Sequence, residues 1–596
     1  MCGIFGFTGP PDPDRLDLLR DALRHRGPDG EGEIVRPALS MGCDRLAIVG
    51  RANGGQPLAS EDGRIQLVCN GEIYNFRALR RELERRGHRF ATDSDAEVIV
   101  HAFEEEGEAA LGRLQGMFAL ALWDEADSRL LLARDPAGMK SLFYLRHEER
   151  WWFASEAKAL LLAAGVERRL DPHALDGLLR LGFVPGPRTL FAGVARLPAG
   201  HRLIVERSGE TRLAAFTTTW EDPAAPADGA GDLAGELRRR LGAAVDSHLT
   251  AEVPVGASLS GGLDSSFLVG LMAERLGAGV KTFSIGCPGD QDERPFARIV
   301  AERFRTDHRE IAVGPDDLWR RLPRVIWQTE EPRGGPLVPN SLLFERAAED
   351  VRVLLLGEGA DELFGGYLRF KTALPPLGLL PPSLGAALYG TRKLGAAREL
   401  YGPALRAARA REDPLATYLG PALRQRGARR LAGLLDFERR VQLPNAHLPR
   451  VDLLSMAHAL EARLPFLDPG VVALSERVPL SAKVGWRDEK MILREAAKGL
   501  LPEDILRRRK QGQANPLRLW EAAGLLDHAA GLLAGPAVRA RGLFQPRFVD
   551  RLLARLRRGR GLPFDRNRLH FLVLIEIWHR VFLDPERLAP PAVPPA

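Results

Sequence analysis

From Met1 to about Arg212 the chain alternates short apolar runs with turn residues. Ile65-Gln66-Leu67-Val68-Cys69 and Leu130-Leu131-Leu132-Ala133 have the length and composition of strands, and a few helical stretches lie between such runs. That mixture predicts an α+β sandwich. Between Thr217 and Asp232 the apolar pattern gives way to Thr, Pro, Ala, Gly and Asp, as in Trp220-Glu221-Asp222-Pro223-Ala224-Ala225-Pro226, which reads as an interdomain linker. A helical period then runs from Leu233 to His248, followed by the apolar run Val253 to Leu259, a glycine-rich loop and a helix from Ser265 to Leu276. Strand, loop, helix is the order of an α/β nucleotide fold. Lys281 to Gly286 and Val351 to Leu356 repeat the strand pattern, and each ends in a glycine-rich or acidic loop, where ligands sit in open parallel sheets. Beyond Ala373 the pattern is helical and rich in Arg, Leu and Ala, and a Pro-rich tail from Pro590 is expected to fray. The expected organisation is a first domain over 1–212, a linker over 213–232, a second domain over 233–585 and a tail over 586–596, with no internal repeat.

Length and composition support this division. A chain of 596 residues with 45% hydrophobic content outgrows one core and fills at least two. Its 84 basic and 78 acidic side chains leave a net charge of +6, too weak a field for a nucleic-acid footprint. Arg507-Arg508-Arg509-Lys510 and Arg557-Arg558-Gly559-Arg560 have the charge to grip phosphates, but such runs read first as solvated helix faces. Cys2, Cys43, Cys69 and Cys287 form no CxxC pair, so neither a disulfide framework nor a zinc site is expected, and a reducing, cytoplasmic setting fits. Met1-Cys2-Gly3-Ile4-Phe5 runs on to Asp12 and Asp14 without the basic-then-apolar order of a signal peptide. The uncharged stretch from Thr372 to Thr391 is interrupted by Pro375, Pro376, Pro381 and Pro382 and reads as a loop region rather than a membrane span.

Cys2 becomes the first residue if Met1 is removed, as is usual before a small residue. The freed α-amine titrates near neutrality and takes the thiol proton directly or through water, so no histidine is needed. Alone, a cysteine beside the start codes for nothing. Here it is joined by Arg24-His25-Arg26-Gly27-Pro28-Asp29-Gly30, Arg45-Leu46-Ala47-Ile48-Val49, Asn70-Gly71-Glu72-Ile73-Tyr74-Asn75 and Asp93-Ser94-Asp95-Ala96-Glu97. Together these resemble the glutaminase domain of class II, N-terminal-nucleophile amidotransferases, which implies an αββα sandwich. The resemblance implies that Cys2 is the nucleophile and that the Asn70 amide and Gly71 N–H form an oxyanion hole. It also implies that Arg45 clamps the glutamine α-carboxylate, that Asp95 with Glu72 nearby holds the α-ammonium, and that Ile48 belongs to the glutamine site. Read as residues alone, Arg45 also suits a surface ion pair and Asn70-Gly71 a hairpin turn.

Ser260-Gly261-Gly262-Leu263-Asp264-Ser265 follows an apolar run and opens a helix, offering backbone N–H groups, hydroxyls and a helix N-terminus to an anion. It resembles the SGGxDS loop of ATP pyrophosphatases and lacks the Gly-Lys-Ser/Thr ending of a Walker loop. Leu356-Gly357-Glu358-Gly359-Ala360-Asp361-Glu362-Leu363-Phe364-Gly365-Gly366-Tyr367 resembles the adenylate-binding loop of asparagine synthetases. Over roughly residues 1–520 the chain is thus similar to the glutamine-hydrolysing asparagine synthetase family. The family resemblance implies that Leu259, Ile285, Leu356 and Gly357, with Ser260, Gly261, Gly262 and Ser265, hold ATP. It further implies that Asp264 and Asp361 hold Mg2+, that Glu358 helps form an acyl-adenylate, and that Lys490 steadies the α-phosphate. An exposed helix cation is the lesser alternative for Lys490. Glu461-Ala462-Arg463-Leu464-Pro465-Phe466-Leu467-Asp468 also matches the family and is expected to shape the pocket rather than touch substrate.

The implied partners are glutamine, ATP and a carboxylate acceptor, with no nucleic acid and no membrane span, and a homodimer is carried as an open expectation. Aspartate is the default acceptor. Thr329-Glu330-Glu331-Pro332-Arg333-Gly334-Gly335-Pro336 departs from the usual acceptor-pocket pattern, as do Leu356 and Ala360 in the adenylate loop. A uronic acid or a peptide, as in surface-polymer or natural-product pathways, is therefore the alternative acceptor. An intact Cys2 argues against relatives that close β-lactam rings. A non-catalytic nucleotide-sensing or scaffold protein is the reading from a different class.

Overall fold

The computed structural model describes residues 2–217, 232–287, 292–381, 384–385, 389, 399–509, 516–562, 564–586 and 588–592. Most of the expected linker, part of the Pro-interrupted stretch, Lys510 and the last residues of the tail lie outside them.

The first unit is built on two antiparallel sheets. Cys2–Thr8 lies inside a six-stranded sheet whose strands run Ala195–Arg196, Phe143–His147, Arg150–Ala154, Cys2–Thr8, Leu39–Arg45, Gly30–Arg36. The second six-stranded sheet runs Thr211–Ala215, His201–Val205, Arg129–Arg134, Gly116–Asp124, Ile65–Ile73, Leu58–Ala59. Alternation along each strand decides what meets what. Cys2 and Ile4 point inward with Met41 and Cys43, against Val68, Ala119, Ala121, Leu130 and Leu132 of the facing sheet. Phe5 and Phe7 point outward to Leu16, Leu19 and Leu23 of the helix Pro13–Leu23. Outside the second sheet, Leu79, Leu83, Ile99 and Phe103 of the helices Phe76–Arg85 and Glu97–Glu106 cover Leu67, Leu120 and Leu131. Helix, sheet, sheet, helix is the expected αββα sandwich.

The second unit opens with the helix Leu233–His248 and holds a five-stranded parallel sheet, in the order Asp307–Ala312, Lys281–Gly286, Val255–Ser258, Val353–Leu355, Glu461–Arg463. The chain lays strands to one side of Val255–Ser258 and then crosses to its other side, which opens a crevice at the carboxyl ends of Val255–Ser258 and Val353–Leu355. Both loops singled out from the sequence leave from those ends. The apolar run expected from Val253 yields a shorter strand, because its first residues are spent reaching the sheet. The described residues after Ala373 are mainly helical, ending in Asp565–Phe582. The Pro-interrupted stretch begins with the short turns Leu368–Ala373 and Leu377–Leu379, and among the described residues no helix is long and apolar enough to cross a membrane.

Charged groups buried between the two units join them. Arg463 is wholly buried; its guanidinium pairs with Glu461, lies 3.2 Å from Glu72, and donates to the carbonyls of His248 and Thr250 at 2.7 Å. The Glu252 carboxylate accepts from the N–H groups of Gly50 and Arg51. Glu330, held in a left-handed conformation at φ 60°, accepts from Ala157 and Lys158 at 2.9 and 2.7 Å and so caps the helix Ala157–Ala163 of the other unit. Replacing Arg463 by methionine strands the Glu72 and Glu461 carboxylates in a dry seam, a loss expected to cost about 3–5 kcal/mol. A denaturant titration of Arg463→Met should show the midpoint fall accordingly; an unchanged midpoint would refute this account of the seam.

Candidate active site

Cys2 and Asn70 sit on facing sheets, and strand register turns both side chains into the space between them. The Cys2 nitrogen, which becomes the α-amine once Met1 is removed, donates to Asn70 Oδ1 at 3.0 Å. That bond fixes the amide the other way round for its nitrogen: Asn70 Nδ2 is buried and finds no acceptor among the described residues. A buried donor without a partner costs free energy, so one aimed beside a nucleophile is a place for a developing oxyanion.

Gly71 offers a second N–H on the same side by strand geometry. Cys69 N–H donates to Gln56 Oε1 at 2.6 Å and Ile73 N–H to Asp95 Oδ2 at 2.7 Å. N–H groups two residues apart on a strand point the same way, so Gly71 N–H faces the gap between Gln56 and Asp95. A Cβ at Gly71 would lie 2.1 Å from the Met117 carbonyl, so only glycine fits there. Asn70-Gly71 therefore lies within the strand Ile65–Ile73, and the hairpin-turn reading is corrected: pairing with Ala119 and Phe118 overrides the local turn preference.

The Cys2 thiol is held below its ordinary pKa chiefly by a hydrogen bond from Cys43, against the opposing effect of burial, with the amino terminus and Arg45 assisting. Burial pushes Cys43 well up, which keeps it a donor. The Gln56 amide lies 3.7 Å from Cys2 Sγ and also spans the Cys69 N–H and carbonyl. Arg45 is anchored by donating to the carbonyls of Val49 and Gly50 at 3.0 and 2.8 Å, so it is not the plain surface ion pair. Ile48 is buried, with its carbonyl accepting from Glu252 N–H. Asp95 is buried, and desolvation lifts its carboxyl to about 6 despite the Ile73 bond. Glu72 is turned to Arg463, and its burial, with Asp95 close by, raises it well above the usual carboxylate range.

At the carboxyl end of the parallel sheet lies a cleft of about 350 Å³. Gly262 precedes the helix Leu263–Leu276 as its N-cap, and Gly261, at φ 67°, has no room for a Cβ against Phe296 and Ala297. Ser260 and Ser265 join hydroxyls at 3.1 Å and close the loop on itself. Ser260, Gly262, Asp264, Ser265, Leu356, Gly357, Glu358, Asp361 and Lys490 all line the cleft, whereas Leu259, Gly261 and Ile285 do not. Leu259 is wholly buried, with its N–H given to Phe283, so it shapes the floor from beneath.

Lys490 is 4% exposed, which corrects the reading of it as an exposed helix cation. Its ammonium pairs with Asp264 and lies 2.6 Å from Asp361; burial works against its charge, and the two carboxylates more than offset that and raise its pKa. Two acids converging on one cation are a fitting donor set for a divalent ion, and Asp264 Oδ1 is buried without a partner among the described residues.

Several cleft residues escaped the sequence reading: Tyr367, His447, Arg450, Arg494, Arg508 and Arg509. Arg508 stacks 3.9 Å from the Phe296 ring centroid and pairs with Glu293 at 2.8 Å. Arg508 is thus not part of a simply solvated face, because the chain folds it back over the cleft, while Arg507 is exposed and Lys510 lies outside the described residues. Arg450 sits 3.3 Å from Glu358, on the helix Leu448–Met456. Two residues on, the opposite side of that helix presents Asp452 to Arg26, which is wholly buried, donates to the Cys2 carbonyl at 3.2 Å and pairs with Glu156 at 2.9 Å. One helix therefore lines the cleft through Arg450 and reaches the Cys2 strand through Arg26.

Known proteins share this pairing of sites. The glutamine amidotransferase domain model matches residues 1–217 and the asparagine synthase model residues 236–580. The chain is 32% identical over 560 residues to the Bacillus subtilis protein named asparagine synthetase (glutamine-hydrolysing) 1, covering 87% of this chain and 88% of that one. A second Bacillus subtilis protein, asparagine synthetase (glutamine-hydrolysing) 3, is 32% identical over 543 residues, 86% of each chain. The Arabidopsis thaliana protein named asparagine synthetase (glutamine-hydrolysing) 3 is 33% identical over 392 residues, 63% of this chain and 62% of that one. A buried thiol beside an unpaired amide donor in one unit, a glycine-rich cleft in the other and matches across both place this chain in the glutamine-hydrolysing asparagine synthetase family of ATP-dependent amidotransferase ligases.

Proposed function

We propose that the chain makes asparagine: residues 1–212 release ammonia from glutamine at Cys2, and residues 233–585 use it to amidate aspartate activated by ATP, in the cytoplasm. The observation that carries this reading is the helix Leu448–Met456, which joins the Cys2 seam through Asp452 to the cleft through Arg450.

The α-amine takes the Cys2 proton, and the thiolate adds to the glutamine carboxamide carbon. The oxygen's new charge is met by Asn70 Nδ2 and Gly71 N–H, while Arg45 and Asp95 hold the α-carboxylate and α-ammonium. The amine returns its proton to the departing nitrogen, ammonia leaves, and water cleaves the thioester to glutamate. In the cleft the acceptor carboxylate attacks the α-phosphorus of ATP and pyrophosphate departs, with Lys490 and the cleft arginines countering the phosphate charge and Glu358 assisting. Ammonia then adds to the acyl carbon and AMP leaves. Asp264 and Asp361 would hold Mg2+, which supplies neutralisation of phosphate charge when bound.

Aspartate is favoured because Arg333, the departure in the acceptor segment, stands away from the cleft, although Leu356 lines it. Arg333 is a buried strut, paired with Glu331 at 2.7 Å and donating to Asn445 O at 2.6 Å and to Ala446 O. It braces the segment leading to His447 and is absent from the cleft lining.

Three measurements test the reading. AMP release should require glutamine, ATP and aspartate together; Cys2→Ala should abolish it with glutamine and spare it with added ammonium. Failure of aspartate alongside success of a uronic acid or peptide would transfer the assignment to that acceptor. Asn70→Ala should lower glutaminase kcat by about 100- to 1,000-fold while KM for glutamine moves little, and a loss below tenfold would remove Asn70 from the oxyanion hole. Asp95 must be ionised to hold an ammonium, so glutaminase kcat/KM should fall as pH drops through about 6. Asp95→Asn should flatten that limb, and an unchanged limb would assign it elsewhere.

A further inference from the structure

Away from both centres, on the outer side of the first unit, four side chains converge: Glu61, His88, His101 and Glu104. One donor atom from each lies within 4.8 Å of all the others. Glu61 comes from the turn after Leu58–Ala59, His88 from the turn after Phe76–Arg85, and His101 and Glu104 from successive turns of the helix Glu97–Glu106. Both imidazoles turn Nδ1 inward. His88 Nδ1 lies 3.2 Å from Glu61 Oε1 and 3.8 Å from Glu104 Oε2, and His101 Nδ1 lies 3.2 Å from Glu61 Oε2 and 3.1 Å from Glu104 Oε2. Donors held about 2.0–2.1 Å from a tetrahedral zinc ion are about 3.3 Å apart, close to these separations.

The outer nitrogens carry the second observation. His88 Nε2 lies 3.1 Å from Glu105 Oε1 and His101 Nε2 3.5 Å from Glu97 Oε1. A carboxylate behind each imidazole accepts an Nε2–H, so an ion that takes the place of the proton between Nδ1 and the inner carboxylates meets the Nδ1 lone pair, as in metal-ligating histidines. Glu61 and Glu104 bring two carboxylates to the same gap. His101 is 1% exposed, so the cluster is not a freely solvated ion pair.

We propose that Glu61, His88, His101 and Glu104 form a structural site for a borderline first-row divalent cation, with zinc as its probe. Two imidazoles and two carboxylates suit such an ion better than Mg2+ or Ca2+, which favour oxygen alone. The ion ties two surface turns to the helix that follows Asp95. Glu97, behind His101, also accepts from Ala91 and Thr92 N–H and so anchors the loop that carries Asp95.

The test uses the full chain stripped by a chelator, then titrated with zinc alone while bound metal is counted. The expected result is a site filled with one zinc per chain that persists in the Asp264→Asn, Asp361→Asn double variant and is lost in His88→Gln and in Glu61→Gln. Glu61 lies on an exposed turn and its replacement is isosteric, so that variant reports binding with the fold intact. Glu105→Ala, which removes the acceptor behind His88 together with the partner of Arg86, should weaken affinity by about 10- to 100-fold. Absence of stoichiometric zinc in the double variant, or zinc retained in both His88→Gln and Glu61→Gln, would overturn the site.

Discussion

The buried guanidinium of Arg26 is the constraint on which the two-centre arrangement rests. It is wholly buried, so Glu156 and Asp452 must sit where they do or leave an uncompensated charge. Because Arg26 also holds the Cys2 carbonyl, the position of the nucleophile's strand and that of the helix bearing Arg450 are set by the same cation. Neither can shift alone. Arg463, with Glu72 and Glu461, repeats the device one strand further along.

Buried charge is costly, and apolar packing would join two domains more cheaply in many proteins. What charge adds is direction: a guanidinium fork satisfies its acceptors in few orientations, whereas apolar side chains slide. The strand that carries Asn70 in the first unit and the sheet edge of the second meet at Glu72 and Arg463. Arg333 shows the same economy of role. A residue that looks like an altered substrate contact in the linear chain is a brace for the segment that carries His447.

The loops that carry chemistry were legible in the sequence because their logic is short-range. Ser260 to Ser265 needs only a strand before it and a helix after it, and both patterns are plain in Val255–Ser258 and Leu263–Leu276. Asn70-Gly71 was legible as a pair but ambiguous in place, since turn preference and strand pairing compete and only the partner strand decides. Cys43 and Gln56 were beyond reach: they meet Cys2 through strand register and a loop, neither of which leaves a local trace. Arg508 was misjudged because a basic run looks alike whether it is solvated or folded back onto Phe296. The His88 and His101 cluster escaped because its donors are scattered over three segments, without the close cysteine spacing that signals zinc.

Glu330 gives the chain a temporal property. The helix Ala157–Ala163 belongs to the unit that is synthesised first, yet the carboxylate that closes its N-terminus arrives 173 positions later along the chain. Until the ribosome has delivered that segment, the early unit carries open backbone donors beside Glu156, the partner of Arg26. The N-terminus of that helix is thus completed only when the later unit has folded against the earlier one.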